Sequence, residues 1–91
     1  MKEQKLFNVV IVDSRAGERV YERMNYYYDA EDAIDRLERE GIIYNAKFIR
    51  VENYDGEERT VYATFATDDE IADSIYIYEL DEQDFDLDHI I

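Results

Sequence analysis

Between Lys5 and Asp13 the chain reads KLFNVVIVD, apolar at every inner position except Asn8. Leu6, Val10 and Val12 fall on one side of an extended segment and Phe7, Val9 and Ile11 on the other, and a strand apolar on both sides belongs in the interior of a sheet. After the polar SRAGE comes RVYERMNYYY, where Val20, Met24 and Tyr26 alternate with charged or amide residues. Together the two segments predict a β-hairpin. In the triplet Tyr26-Tyr27-Tyr28 the middle ring points away from its neighbours, so one side suits core packing and the other an interface anchor.

The period then changes. Asp29 offers an N-cap, Asp32 sits at the third helical position, and Ala30, Ala33, Ile34 and Leu37 recur at helical spacing until Gly41. Asp32/Arg36 and Asp35/Arg39 are spaced for ion pairs on the outer face, whereas Glu31, Glu38 and Glu40 have no base at that spacing. Next, AKFIRVEN and ERTVYATFA flank Tyr54-Asp55-Gly56-Glu57, a two-residue Asp-Gly hairpin signal. That turn sets Glu52 opposite Arg59, Arg50 opposite Val61 and Phe48 opposite Ala63, and the opposed Glu/Arg pair agrees with the register. TDDEIAD suits one helical turn capped by Thr67, and SIYIYEL suits a fifth strand with Ile75 and Ile77 on one face and Tyr76 and Tyr78 on the other. The pattern predicts an α+β fold, a mostly antiparallel sheet of about five strands in the order ββαβββ with one helix packed on a face. It does not set the strand order.

Ninety-one residues, 46% of them hydrophobic, suit a single domain over 1–91 that rests on packing alone, since there is no Cys for a disulfide or thiolate metal site. The basic N-terminus precedes an apolar run too short for a secretory signal, and no stretch approaches the roughly 20 apolar residues of a membrane span. A cytoplasmic protein is therefore expected.

Charge changes the picture most. Residues 1–67 hold 14 acids and all 10 bases, a balance of -4, whereas residues 68–91 hold 10 acids and no base, a balance of -10, for a net charge of -14. Such a surface repels nucleic acid and anionic membranes and attracts basic proteins.

The groups available for chemistry are few. Ser14, Ser74 and His89, the last near the terminus, do not make a nucleophilic triad, so no enzyme is expected. Asp84, Asp86 and Asp88 open like a calcium loop, but His89 stands where the turn glycine is required and the chain ends before a twelfth-position Glu, so no metal or cofactor is expected. Extended, DFDLD would place those three carboxylates on one face about 6.6 Å apart, with Phe85 and Leu87 behind. Leu80, Leu87 and Ile91 also fit a helical stripe. Either way the charges face outward, as a row comparable in sign and spacing to a phosphate strand.

The candidate partner-binding residues are Asp68, Asp69, Glu70, Asp73, Glu79, Asp81, Glu82, Asp84, Asp86 and Asp88, with Tyr76 and Tyr78 as aromatic anchors. They point to an acidic protein-binding inhibitor, a DNA or RNA mimic that fills the basic channel of a nuclease or other nucleic-acid enzyme without itself binding nucleic acid. In size, charge and Tyr content the chain is similar to small phage-encoded or mobile-element inhibitors of restriction and CRISPR nucleases. That resemblance is one of composition and carries no residue roles. Three other readings fit the same charge: an immunity-type, antitoxin-type or chaperone-like partner of a basic protein; a small regulatory domain with a solubilising acidic tail; and adaptation to high salt. Salt adaptation would spread the acids over the surface and not concentrate them at one end. Unpaired strand edges and surface Tyr also suit a homodimer.

Overall fold

The computed structural model describes residues 3–80 and contains five strands and one helix: β1 (Lys5–Asp13), β2 (Glu18–Tyr27), α1 (Ala30–Arg39), β3 (Lys47–Tyr54), β4 (Glu57–Phe65) and β5 (Ile71–Glu79). The strands form one antiparallel sheet in the order β2-β1-β5-β4-β3. Two hairpins, β1/β2 and β3/β4, are joined by β5 in the middle. The interior position expected for the doubly apolar strand is that of β1, where Leu6, Phe7, Val9, Val10 and Ile11 are all buried.

The core lies on one face of the sheet. Phe7, Val9 and Ile11 of β1, Tyr27 of β2 and Ile75 and Ile77 of β5 meet Ala33, Ile34 and Leu37 of the helix and Ile43 beyond it. Burying a Leu or Ile side chain contributes about 1.5–3 kcal/mol, so these three strands and the helix hold most of the apolar stabilisation. The helix begins where Asp29 accepts the Asp32 amide at 2.8 Å. It ends in a Schellman arrangement, with Ile42 N–H donating to Leu37 C=O and Gly41 N–H to Glu38 C=O. Gly41 has φ 76°, a conformation that a side chain disfavours. Arg36 lies over the Tyr27 ring and donates to Tyr26 C=O, while Arg23 pairs with Glu40. The helix therefore runs antiparallel to β2 and leaves the β4/β3 side of its face open.

Three local expectations are corrected, and a fourth, the Glu52/Arg59 register, holds without an ion pair between the two. The 66–70 stretch is a bend, not a helical turn: Ala66 N–H donates to Glu70 C=O and Glu70 N–H to Thr67 Oγ1, so Thr67 closes a tight loop and β5 starts at Ile71. Asp32 accepts the Tyr28 amide and Arg36 turns to Tyr26 and Tyr27, so that pair is not made, whereas Asp35 and Arg39 do pair. Phe48 opposes Tyr62 and not Ala63, because a bulge at Ile49 shifts the register beyond Arg50. Glu52 and Arg59 are opposite as expected, yet Glu52 pairs with Arg50 while Arg59 stacks at 3.9 Å on Tyr54.

Tyr27 has a further consequence. Its side chain is fully buried and its hydroxyl has no hydrogen-bond partner among the described residues. Tyr27→Phe is expected to stabilise the fold by about 1 kcal/mol, since an unsatisfied buried hydroxyl is removed with little change in shape. Burial also raises the Tyr27 pKa above the ordinary 10.0, against the pull of Arg23 and Arg36. A raised folded-state value means a stabilising contribution that is complete below about pH 10 and lost as pH rises through the folded value. Urea titrations at neutral and alkaline pH should show the variant ahead in both and its lead widening above pH 10; a lower midpoint at neutral pH would mean that the hydroxyl is satisfied.

Candidate protein-binding surface

The predicted acids are not gathered in one place. Asp68, Asp69 and Glu70 lie exposed in the loop before β5, where Arg15 pairs with Glu70. Asp73 is half-buried near the start of β5, opposite Asp13. Glu79 ends β5, about 26 Å along the strand, and pairs with Lys5 at 3.7 Å. Asp81, Glu82, Asp84, Asp86 and Asp88 lie outside the described residues.

Tyr76 and Tyr78 point to the helix-free face, as the alternation with buried Ile75 and Ile77 requires. Both are half-buried there and serve that face internally. Asn8, 4% exposed, donates through Nδ2 to Glu22 Oε2 and to the Tyr78 hydroxyl, each at 2.7 Å. A carboxylate only accepts, so the amide nitrogen must face Glu22. This bond, chiefly, holds the Glu22 carboxyl below its ordinary value, with Arg19 helping against the cost of burial. The Arg59 guanidinium lies 3.9 Å from the Tyr54 ring and 5.8 Å from the Tyr76 ring.

Along the side of the helix that faces β4 and β3 the topology gathers a different set of acids. Asp29, Glu31, Asp32, Asp35 and Glu38 line an open groove of about 930 Å³ whose other walls include Ile34, Phe48 and Tyr62. A second groove of about 540 Å³ shares Asp29 and Glu31 and adds Glu58, Glu79, Phe7 and Tyr78. Among the described residues no Lys or Arg lines either groove. The Tyr62 pKa is raised by burial and then by the Glu31 and Asp29 charges, so its phenol faces the carboxylates. Carboxylates beside aromatic rings suit a Lys or Arg side chain, which takes an ion pair from the first and a cation–π contact from the second. The chain leaves β5 for its C-terminal acids beside the second groove, where Leu80 N–H donates to Leu6 C=O.

The sequence carried one sign of this site. Glu31 and Glu38 have no base at helical spacing, and in the fold both line the larger groove, Glu38 accepting the Ala46 amide at 3.2 Å. The bases, by contrast, are committed. Of the nine within the described residues, Lys5, Arg15, Arg19, Arg23, Arg39 and Arg50 pair with carboxylates. The remaining three, Arg36, Lys47 and Arg59, lie over Tyr27, Phe65 and Tyr54.

Among the described residues no three or more His, Cys, Asp or Glu are grouped so as to hold a metal ion, and no helix is long and apolar enough to cross a membrane. No protein-family model, curated protein or solved structure matches the chain.

Proposed function

We propose that this chain is an acidic inhibitor that binds a basic protein surface, occupying the channel in which a nuclease or other nucleic-acid enzyme holds its substrate. The observation that carries the reading is the pair of adjoining grooves, bordered by seven carboxylates of which Asp35 and Glu79 pair with a base, Arg39 and Lys5, near where the chain leaves β5 for its acidic C-terminal segment. Lys and Arg side chains that normally grip phosphates would meet carboxylates of the same sign, and the Phe48 and Tyr62 rings would receive their apolar stems. Inhibition would compete with nucleic acid and weaken with salt. A phage-type anti-defence protein would act in this way in the cytoplasm of its host. The aromatic walls equally suit the side chains of a basic toxin or client, which is the second reading.

The test uses the immobilised full chain in cell lysate, washed with rising salt or with duplex DNA. A nucleic-acid enzyme released by DNA, and inhibited by the free chain, is the expected result. A basic protein released by salt but not by DNA would support the second reading, and the absence of any salt-sensitive partner would overturn both. Against the captured enzyme, the triple variant Glu31→Gln, Asp35→Asn, Glu38→Gln should bind at least about tenfold more weakly, because the groove loses three negative charges together, two of them without a base of their own among the described residues. Neutralising Asp81, Glu82, Asp84, Asp86 and Asp88 should add to that loss. If both variants keep full affinity, charge is not the means of recognition.

A further inference from the structure

The strand β3 forms one edge of the sheet, with β4 on one side and no described strand on the other. Its apolar side chains are open: Phe48, Ile49, Val51 and Tyr54 are 56, 37, 53 and 63% exposed. The opposite edge, β2, also exposes Val20, Met24 and Tyr26 but sets four charges, Glu18, Arg19, Glu22 and Arg23, among them, and charges of that kind resist pairing. On β3 the charges are arranged differently. Read outward from Val51, the strand has Arg50 on one side and Glu52 on the other.

Backbone geometry selects the same residue. Asp55 and Gly56, at φ 54° and 82°, make a two-residue loop, so Tyr54 and Glu57 are the first bonded pair of the hairpin. Bonded pairs recur at every second residue, at Glu52/Arg59 and Arg50/Val61. Val51 and Asn53 therefore turn their N–H and C=O groups away from β4.

We propose that two copies of this chain join through β3, antiparallel and about a two-fold axis at Val51, into one continuous ten-stranded sheet. Val51 of one copy then faces Val51 of the other as a bonded pair. Arg50 of each copy lies opposite Glu52 of the other on the helix-free face, and Ile49 opposite Asn53. Opposite charges across neighbouring strands support this register, whereas sliding the copies by two residues breaks both ion pairs. The bulge at Ile49 ends the pairable stretch and so confines the contact to Ile49–Asn53. A contact this short gives a weak dimer, below the size of standard stable interfaces. Each copy carries a charge of -14, so the two bodies repel and added salt should strengthen the dimer. Salt would act in the opposite direction on the basic-partner binding proposed above, and neither inference depends on the other.

Sedimentation equilibrium of the full chain, from micromolar to about 0.5 mM, tests the proposal. The wild type should shift from one to two chains with concentration, more completely in higher salt. R50E, with acids at 50 and 52, and E52R, with bases at both, should each stay monomeric. Their equimolar mixture should form a heterodimer at least about tenfold more readily than either alone, a rescue that a fold defect in either variant would not produce. V51K, which sets two ammonium groups against each other at the axis, should be a folded monomer by circular dichroism. A wild type that remains monomeric throughout, a mixture that does not dimerise, or a V51K that dimerises normally would each overturn the inference.

Discussion

Leu37→Ala is expected to destabilise the fold by about 2–5 kcal/mol, more than the truncation of any other side chain on the helix. Leu37 is fully buried against the sheet. Only Ala33, Ile34 and Leu37 of the helix are buried, so the helix is held by a short row of contacts. Ala has at least as high a helix propensity as Leu, and the Leu37 carbonyl would still accept the Ile42 amide, so the cost comes from lost packing and the cavity left behind. Against a typical total of about 5–15 kcal/mol, that is a large share. Urea denaturation should show a lower midpoint with an unchanged slope, and a loss under about 1 kcal/mol would mean that the helix is not the clamp of this core.

Asn8→Ala is the second. It removes the donor to Glu22 and Tyr78 from the middle of the helix-free face. A hydrogen bond to a charged group contributes about 1.5–3 kcal/mol, and because the Glu22 side chain is 40% exposed the lower end applies to it. With the Tyr78 bond and the lost packing, the expected cost is about 2 kcal/mol near neutral pH. The pH dependence identifies the cause. The Glu22 carboxyl is held below 4.5 mainly by Asn8, so its stabilising contribution is present above that value and lost as pH falls through the depressed one. The gap between wild type and Asn8→Ala should therefore narrow in acid. A gap that stays constant from pH 7 to 3 would assign the loss to packing and the Tyr78 bond and none of it to Glu22.

How far the sequence revealed this fold depends on the range of each interaction. Asp29 capping its own helix, Asp55-Gly56 turning a hairpin and Ile75/Ile77 facing away from Tyr76/Tyr78 are settled within a few residues, and the chain states them directly. Tyr27 pointing inward between exposed Tyr26 and Tyr28 follows from the period of a strand. The bulge at Ile49 is a choice between neighbouring registers made by the packing of Phe48 on Tyr62, which no local pattern encodes. Arg36 and Arg59 illustrate the same limit: each has an acid at a suitable spacing and is drawn instead to a tyrosine brought close by folding. The grooves unite residues as distant as Asp29, Phe48 and Glu79, so they became visible only with the strand order. Charge composition, which needs no topology, indicated acidity at the C-terminal end but not the helical carboxylates beside it.

The place of β5 bears on how the protein is made. It is the last of the five strands to leave the ribosome, yet it lies at the centre of the sheet and bonds to both hairpins. Until residue 79 is available, β1/β2 and β3/β4 are separate hairpins, each with an unsatisfied inner edge, and two-stranded hairpins are marginal in water. Folding of this sheet during synthesis is thus deferred until β5 has emerged. A nascent chain stalled after Phe65 would expose to chaperones and proteases the very edges that β5 later covers.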